Sequence, residues 1–306
     1  MLITIISALI VDRIFGEPGI LHPLVGFGRL AMRVEKIFYG DSQVSIFSRR
    51  LRGLMATAIL VIPFTCMAVA ISFTQFEPAL NLLSLYLAVG WKSLEQHAMQ
   101  IHRSLSTDKL DAARLQVGLI VSRDTKQLDA TRIATATVES ILENGSDAVI
   151  GAIFWFMIAG APGVIAYRLI NTLDAMWGYR NQRYQNFGRA CAGLDDLFNM
   201  IPSRITALSY SLCGNSKSAF YCWIHQGYRW KSPNAGVVMA SGAASLGIEV
   251  GGPAYYQGKL ESKPLLGHGR HVASDDIIRA IQLLRRSLVV ILIIFGGGAL
   301  IVGQGI

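Results

Sequence analysis

Long uncharged runs alternate with polar connections along the chain. Residues 53–76 are 24 positions without a charged side chain, and as an α-helix they would extend about 36 Å, enough to cross a hydrocarbon core of about 30 Å. Pro63 predicts a kink in this helix, which neighbouring helices tolerate within a membrane. Residues 78–91 are also uncharged, but a helix of 14 residues reaches only about 21 Å. The pattern predicts one full membrane helix and a shorter segment after it.

Three further apolar runs complete the membrane prediction. Residues 148–167 are uncharged but contain Gly160-Ala-Pro-Gly163, which indicates a broken or re-entrant segment. Residues 288–306 follow Arg285-Arg286 and indicate a last membrane helix with a basic flank. Residues 1–11 are apolar but lack a basic start and a small-residue cleavage site, so we expect them to be retained. The sequence predicts four or five membrane segments.

The connections between these runs are predicted to be helical. Apolar positions recur at helical spacing after residue 92, Asp124-Thr125 is typical of a helix start, and Asn144-Gly145 is typical of a helix end. No strand-like alternation of useful length occurs. We therefore predict an all-α fold: a polytopic integral membrane protein with one domain over residues 1–306 and helical cytoplasmic connections.

Composition supports a surface that faces lipid. Charged residues make up 16% of the chain and hydrophobic residues 52%, whereas about a quarter of a soluble protein is charged. The net charge of +8 suits anionic lipid headgroups, phosphorylated ligands and nucleic acid equally well, but no recognised nucleic-acid-binding module accompanies it. The four cysteines lack metal-ligand spacing, and we expect reduced thiols. The basic stretch 13–52 predicts a cytoplasmic loop.

Three acids share one face of a predicted helix. Glu139, Glu143 and Asp147 recur at intervals of four residues, so their like charges face the same way and repel. Either solvent screens them, or they hold Mg²⁺, which binds a few carboxylates together with phosphate oxygens of a substrate. The spacing leaves both interpretations open.

A second polar group follows the interrupted run. Tyr167, Asn171 and Asp174 lie on one predicted helix face, and Trp177-Gly178-Tyr179-Arg180 follows. Arg168 and Arg180 are natural partners for Asp174. The group is either the end of an interfacial helix, with these aromatic residues in the membrane belt and a structural ion pair, or part of a site. The pair Asp195-Asp196 is either a helix start or a pair of metal ligands. The residue types alone do not choose.

The C-terminal half contains two glycine-containing segments that allow close approach to a ligand. Residues 232–236 form a predicted turn before a helix of small residues. Residues 251–259 form a predicted flexible segment that ends in Lys259, but they lack the GxxxxGK[ST] pattern and follow no predicted strand, which argues against a Walker-type phosphate site. Asp124 is expected to cap a helix.

Taken in order, these motifs resemble the cobinamide-phosphate synthase family (CobD/CbiB) along nearly the whole chain. The resemblance rests on Asp12, GEP at 16–18, HPLVGFGRL at 22–30, VSRDTKQLD at 121–129, VESILENGSDAVI at 138–150, YRLINTLDAMWGYR at 167–180, LDDLFNMIPSR at 194–204, SPNAG at 232–236 and GGPAYYQGK at 251–259. The chain departs from the family at Glu17, where Asp is common, at Gly151-Ala152, where Ala-Pro is usual, and at Gly193, where Arg is common. A missing arginine matters if it contacts a phosphate.

The resemblance implies ATP-dependent amide formation between adenosylcobyric acid and (R)-1-aminopropan-2-ol or its phosphate in vitamin B12 biosynthesis. It implies ATP with Mg²⁺ as a substrate complex, and no tightly bound cofactor. We expect the Mg²⁺ ligands or the catalytic base among Glu143, Asp147, Asp174, Asp195 and Asp196, with Glu143, Asp174 and Asp196 as the metal ligands. We expect substrate and phosphate contacts from Arg123, Asp124, Asn144, Asn171, Arg180, Arg204, Asn234, Tyr256 and Lys259.

The resemblance also implies a multi-pass protein of the inner cell membrane with its active site facing the cytoplasm, where ATP is. The expected partners are the corrinoid, the aminopropanol compound and the lipid bilayer, with other late cobalamin-pathway enzymes or a second copy of the chain as protein partners. Two other functions stay open. One is a small-solute transporter, since broken helices beside carboxylates also mark ion pathways, and the other is a non-catalytic signalling or scaffold protein on the same fold.

Overall fold

The computed structural model describes residues 1–19, 22–40, 44–179, 181–256 and 258–303, with the side chains of 296–303 left aside. Most of these residues are helical, which confirms the predicted helical class. The α-helices are α1 Leu2–Phe15, α2 Pro23–Tyr39, α3 Ile46–Ile71, α4 Glu77–Ala88, α5 Trp91–Ser106, α6 Leu110–Val117, α7 Ala130–Asn144, α8 Ala152–Trp177, α9 Tyr184–Phe187, α10 Arg189–Cys213, α11 Ser216–Gln226, α12 Pro233–Leu246 and α13 Asp276–Gly303. A π-helix, Gly145–Gly151, joins α7 to α8, and a 3₁₀ turn, Gly227–Arg229, follows α11.

The prediction of a chain without strands is wrong for residues 248–271. The strands are β1 Ile248–Gly251, β2 Ala254–Tyr256, β3 Lys259–Glu261, β4 Leu265–Gly267 and β5 Arg270–His271. β1 pairs antiparallel with β4 and parallel with β5, while β2 and β3 form a separate antiparallel hairpin. Strands of two to four residues are too short to show a two-residue alternation in the sequence.

The chain forms two compact units, and each is assembled from separate parts of the sequence. The first unit is Met1–Trp91 with Gly151–Met200, and the second is Lys92–Ile150 with Ile201–Ile306. Neither unit is a contiguous stretch of chain. The single domain expected over 1–306 stays a prediction.

The core of the first unit lies where α8 packs against α2, α3 and α4. Its buried side chains are Phe27, Ala31, Ala56, Leu60, Leu169, Leu173, Trp177, Phe187 and Cys191. Gly53 lets α3 approach α9 closely, because a Cβ at that position would overlap the carbonyl oxygen of Phe187. Trp177 is fully buried, so the prediction that it belongs to an interfacial aromatic belt is wrong.

Two helical stretches are long and apolar enough to cross a membrane, namely Ile46–Ile71 and the continuous stretch Ala130–Trp177. Only 22% of the most apolar part of α3 is buried, and Ile59, Ile62 and Met67 are about half exposed. A core helix of a soluble protein would be covered, so this exposure suggests association with a membrane. The predicted segments 1–11, 78–91 and 288–306 are helical where described, but their membrane crossing stays a prediction.

The predicted interruption of α8 is confirmed. The backbone leaves the helical region at Ala159 and Gly160, and Gly160 adopts φ +58°, which favours glycine. Pro162 follows within the same helix. The Ala161 N–H donates to the side-chain oxygen of Asn81 at 3.0 Å. A side chain on α4 therefore satisfies a backbone group that the broken helix leaves exposed.

The second unit is organised around α12. Every residue of this helix from Asn234 to Leu246 is buried, and α7, α11, α13 and β1 contact it. Gly242 lies so close to Leu142 that a Cβ there would approach its side chain to 2.6 Å. Small residues in α12 thus permit close helix packing, as the sequence predicted.

One predicted helix start is wrong. The carboxylate of Asp129, not Asp124-Thr125, accepts the backbone N–H of Arg132 at 2.7 Å and caps α7. The predicted end at Asn144-Gly145 is confirmed for α7, and a π-helix continues from Gly145 to Gly151. A π-helix inserts one extra residue per turn and often occurs at functional sites. Asp195-Asp196 lies inside α10, which begins at Arg189, and not at a helix start.

Candidate functional site

The first unit holds Asp195 at the centre of a chain of polar side chains. The Nδ2 group of Asn171 donates to Asp195 Oδ1 at 3.2 Å, and the Nδ2 group of Asn199 donates to Asp195 Oδ2 at 3.1 Å. The outer ends are fixed as well, because Arg168 donates to Asn171 Oδ1 at 3.1 Å and the Tyr167 hydroxyl donates to Asn199 Oδ1 at 2.8 Å. Two adjacent helices, α8 and α10, thus orient one carboxylate through two neutral amides.

This environment makes Asp195 a better proton acceptor than an ordinary aspartate. Burial raises the pKa of Asp195, and the charge of Asp196 adds to the increase, although Asn171, Asn199 and Arg168 oppose it. One turn earlier on α10, burial together with the charge of Asp174 raises the pKa of the Cys191 thiol to about 12. Cys191 therefore stays protonated at neutral pH, as expected for a reduced structural thiol, and the four cysteines are unpaired.

The N-terminal GEP and HP motifs lie close to this carboxylate network. His22 caps α2 by accepting from the Leu24 N–H at 3.1 Å, and its other ring nitrogen lies 3.1 Å from the carbonyl oxygen of Leu87. Burial lowers the pKa of His22, while the nearby charges of Glu17 and Arg168 act on it in opposite directions. A neutral histidine suits both contacts. His22 thus joins the start of α2 to α4.

Asp174 and Asp196 lie beside the network. The hydrogen bonds described above for Asp195 come from Asn171 and Asn199. Asp174 is half-buried near the end of α8, and Asp196 is exposed on α10. The last turn of α8 is held by buried Glu35, which accepts from Trp177 Nε1 at 3.1 Å and from Arg183 Nη2 at 2.6 Å. Arg180, predicted to bind phosphate or pair with Asp174, lies outside the described residues.

The second unit holds a different carboxylate, that of Glu139 on α7. Glu139 is buried, and one of its oxygens pairs with the guanidinium of Arg123 while the other accepts from the Gly251 N–H at 2.7 Å. Burial opposes the charged form, but the charges of Glu139, Tyr256 and Glu143 raise the pKa of Arg123. Glu139 is therefore a buried, paired acid, so the interpretation that solvent screens the three-acid face is wrong for this residue.

Asp124 joins the same segment to the β2–β3 hairpin. Its carboxylate accepts from the Gly258 N–H at 2.7 Å, and its own N–H donates to the carbonyl oxygen of Tyr255 at 2.8 Å. The predicted capping role of Asp124 is wrong, because its acceptor oxygen serves the hairpin and not a helix start. The structure thereby brings Arg123, Asp124 and Tyr256 to one place.

The hairpin also carries the remaining predicted contacts of this segment. Lys259 is exposed on β3, where it faces Tyr256 across the strand pair. The Tyr256 hydroxyl accepts from Lys263, whose ammonium lies 5.1 Å from the centre of the Trp230 ring. The segment predicted to be flexible is thus an ordered hairpin where it is described, with two lysines beside Tyr256.

Arg204 and Asn234 meet at the start of α12. The Asn234 side-chain oxygen accepts from Arg204 and, at 3.3 Å, from the Ser203 hydroxyl. Ser232 caps α12 by accepting from the Ala235 N–H at 3.3 Å, as the SPNAG turn suggested. Two predicted phosphate contacts are therefore neighbours at a helix N-terminus, where anions are stabilised.

The remaining predicted residues follow one another along α7 and the π-helix. Asn144 is exposed and donates to the Ser140 hydroxyl at 2.9 Å, while Glu143 and Asp147 are half-buried. Burial, followed by the charge of Asp147, raises the pKa of the Tyr210 phenol. Glu143, Asn144 and Asp147 belong to the second unit, whereas Asp174 and Asp196 belong to the first. The three-ligand Mg²⁺ site therefore stays a prediction.

Both oxygens of the Asp195 and Glu139 carboxylates have partners. Both oxygens of Asp195 accept from amide nitrogens, and the amide oxygens of Asn171 and Asn199 are taken by other donors. Both oxygens of Glu139 are likewise occupied. Over the described ranges, no group of three or more His, Cys, Asp or Glu residues could hold a metal ion.

Four residues of these networks were missing from the predicted site. Glu139 was seen on the acidic face, Tyr167 on the helix face of Asn171 and Asp174, and Arg168 as a partner for Asp174, but none was selected. Asn199 was noticed only within its motif. The signal that could have pointed to Tyr167 and Asn199 was that both the YRLIN and the LDDLFN motifs occur in the chain. The sequence did not show that Tyr167 and Asn199, which are 32 residues apart, share a hydrogen bond.

Comparison with known proteins agrees with the motif order. The family model described as CobD/Cbib protein matches residues 5–284. A cobalamin biosynthesis protein CobD of Chromobacterium violaceum is 49% identical over 284 residues, which cover 92% of this chain and 91% of that protein. The protein of the same name from Stutzerimonas stutzeri is 46% identical over 301 residues, with 96% and 97% covered.

A more distant relative gives the same result. The cobalamin biosynthesis protein CobD of Mycobacterium tuberculosis is 36% identical over 286 residues, with 90% of this chain and 88% of that protein covered. No solved structure matches the chain. The resemblance found from the motifs is confirmed, and the chain belongs to the CobD/CbiB family of cobalamin biosynthesis proteins.

Proposed function

We propose that the protein is an adenosylcobinamide-phosphate synthase, a ligase that forms an amide bond between a propionate carboxylate of adenosylcobyric acid and the amine of (R)-1-aminopropan-2-ol or its phosphate. The observation that carries the proposal is the family match over residues 5–284, which includes both polar networks. The reaction consumes ATP, which enters as its magnesium complex. The chain itself provides the side chains that bind and orient the three substrates.

The chemistry needs an activated carboxylate, a neutral amine and stabilisation of the charge on the transferring phosphoryl group. The phosphate contacts we propose are Arg123, Arg204 and Lys259, all cations of the second unit. Asn234 and Tyr256 lie beside these cations and are proposed to orient the substrates. In the first unit, Asp195 and the amides that hold it are the candidates for handling the amine.

We propose an inner-membrane location with the site on the cytoplasmic side. The exposed apolar surface of α3 and the broken α8 support insertion. The four or five proposed segments are 1–11, 53–76, 78–91, 148–167 and 288–306. Single cysteines introduced at the exposed positions 144 and 179 of a cysteine-free variant test the topology in intact cells. Both should be protected from an impermeant maleimide, and labelling of one alone contradicts a common cytoplasmic side.

Complementation tests the reaction. A strain that lacks the synthase grows on cobinamide but not on cobyric acid when B12 is required, and the gene should restore growth on cobyric acid. An Asp174→Asn variant compared with an Asp111→Asn control shows whether the first-unit acid is needed, since Asp111 is a surface residue of α6. Failure of the wild-type gene, with the protein present in the membrane, would refute the proposed reaction.

A further inference from the structure

The proposed ligase must remove a proton from its amine before the amine can attack, and the first unit contains one carboxylate built for that step. At neutral pH a primary amine is an ammonium ion without a lone pair. A carboxylate that accepts its proton must be negatively charged, reachable and held in a fixed orientation. Asp195 is half-buried, and hydrogen bonds from α8 and α10 fix both of its oxygens.

We propose that Asp195 binds the ammonium group of the aminopropanol substrate and takes its proton, with Asn171 and Asn199 as positioning residues. This inference rests on the proposed function and names the amine subsite within it. Each carboxylate oxygen accepts one amide hydrogen and keeps a second lone pair for the ammonium. Among the residues that the structure describes, the guanidinium of this network is that of Arg168, which donates to Asn171 and not to the carboxylate.

The proton balance of the step is complete. The ammonium transfers one proton to Asp195, which leaves a neutral amine and a carboxylic acid. The amine nitrogen then attacks the carbonyl carbon of the acyl phosphate that ATP has formed, so that the C–N bond forms and the acyl C–O bond breaks. The second nitrogen proton leaves with the departing phosphate, and Asp195 returns its own proton to solvent.

The charged and titratable groups around Asp195 agree with this role. Asp196 on the same helix adds negative charge that attracts an ammonium ion. Arg168 on α8 is connected to Asp195 through two successive hydrogen bonds, by way of Asn171. Tyr167 closes the other end through Asn199. Cys191 remains a neutral thiol. The network therefore presents a net negative centre to the cationic nucleophile.

Replacing the nucleophile separates proton removal from carboxylate activation. Hydroxylamine is already neutral at pH 7, so it traps an acyl phosphate as a hydroxamate without help from a base. Full-length protein in membranes is assayed with adenosylcobyric acid, ATP and Mg²⁺, and with either (R)-1-aminopropan-2-ol phosphate or hydroxylamine. Asp195→Asn should lose about 100-fold or more of amide formation but keep hydroxamate formation within about threefold of wild type.

The pH profile provides a second readout. The wild-type rate should level off once Asp195 is ionised, whereas the Asp195→Asn rate should keep rising about tenfold per pH unit as free amine accumulates. Asn199→Ala removes one donor to the carboxylate, so it should move the wild-type bend to higher pH. Asp111→Asn, a surface acid-to-amide change on α6, should match wild type in both reactions.

The outcomes separate the inference from the proposed function. If the wild type forms the amide, and Asp195→Asn loses amide and hydroxamate formation to the same extent, Asp195 is not the proton acceptor. The same conclusion follows if Asp195→Asn loses neither reaction. If Asp195→Asn does not accumulate in membranes, an unshifted bend in Asn199→Ala overturns the inference. If wild-type protein forms neither amide nor hydroxamate, the proposed reaction itself fails and the inference fails with it.

Discussion

The two units hold their central carboxylates in opposite ways. In the first, Asp195 is held by two neutral amides whose far ends bind Arg168 and Tyr167. In the second, Glu139 is neutralised directly by Arg123 and satisfied by the backbone of Gly251. Both lie between packed helices or strands, yet among the described residues a guanidinium pairs directly with Glu139 and not with Asp195.

The difference separates a carboxylate arranged for chemistry from one arranged for structure. Amide donors orient Asp195 without cancelling its charge, so burial raises its pKa and it retains an affinity for protons. The Arg123 guanidinium neutralises Glu139 directly, and the Gly251 N–H joins the same carboxylate to a segment 112 residues away. Removing the charge of Glu139 should therefore cost stability, and removing the charge of Asp195 should cost activity.

The largest loss of stability should follow from Glu139→Gln. The change leaves the buried guanidinium of Arg123 without its counter-ion, and breaking a buried pair on one side costs about 3–5 kcal/mol. Denaturant unfolding in detergent micelles measures the loss of unfolding free energy. A weaker hydrogen bond between position 139 and the Gly251 N–H should also increase proteolysis near the β2–β3 hairpin.

A double replacement tests the cause of that loss. In Arg123→Met with Glu139→Leu, no unpaired charge remains buried, and such a pair of apolar replacements is often neutral or stabilising. The double variant should therefore recover most of the unfolding free energy lost in Glu139→Gln. If the double variant is as unstable as the single one, the pair matters through its shape and not through charge compensation.

Much of the helical architecture was predictable because local chemistry decides it. The apolar length of α3 and the Gly-Ala-Pro-Gly interruption of α8 are visible in a single stretch of sequence, and both are confirmed. The β2–β3 hairpin was missed because three-residue strands carry no periodic signal. The start of α7 and the role of Asp124 were predicted wrongly for the same reason, because the partner of Asp124 is distant in the sequence.

Asp124 shows why the candidate site was only partly predictable. As an aspartate before a helical stretch it is typical of an N-cap, but its acceptor oxygen binds Gly258, 134 residues away. Asp129, five residues later, takes the capping role. The motif order identified the family, but it did not contain the pairing of Asp195 with two amides.

A second buried acid of the second unit should show the pH dependence of a paired carboxylate. Asp276 is buried and accepts from Arg270 at 2.6 and 2.9 Å, from the Ala273 N–H at 2.8 Å and from Arg279. Burial opposes ionisation, but the hydrogen bonds from Arg270, Ala273 and Arg279 lower the pKa of Asp276. Its stabilisation is therefore present above the unfolded-state pKa of about 4 and is lost as pH falls through the lower folded-state pKa.

Asp276→Asn should lower the unfolding free energy by about 2 kcal/mol at pH 7, since hydrogen bonds to a charged group contribute about 1.5–3 kcal/mol and the two arginines are partly exposed. Unfolding curves at pH 7 and below pH 4 give the comparison. The variant and the wild type should converge in acid, where Asp276 becomes protonated. A difference that is independent of pH would mean that packing, and not the charge, is responsible.

Asp195→Asn should have a small effect on stability, and of the opposite sign. A raised folded-state pKa means that the stability contributed by this group is greatest below the unfolded-state pKa and is lost as pH rises through the folded-state value. At pH 7 the buried charge costs stability, so the variant should equal the wild type or exceed it by less than about 1 kcal/mol. A loss like that of Glu139→Gln would show that Asp195 is structural.

The smallest effect should come from Glu261→Gln, where the carboxylate is paired but exposed. Glu261 on β3 lies 4.0 Å from the Lys231 ammonium, and about half of each side chain is in contact with solvent. Such pairs contribute about 0–1 kcal/mol because water screens the charges and ordering two long side chains costs entropy. Glu139 and Glu261 are both glutamates paired with a cation in the same unit, so unfolding in the same detergent isolates burial as the variable. If Glu261→Gln proves as costly as Glu139→Gln, pairing alone, and not burial, would account for the difference between the units.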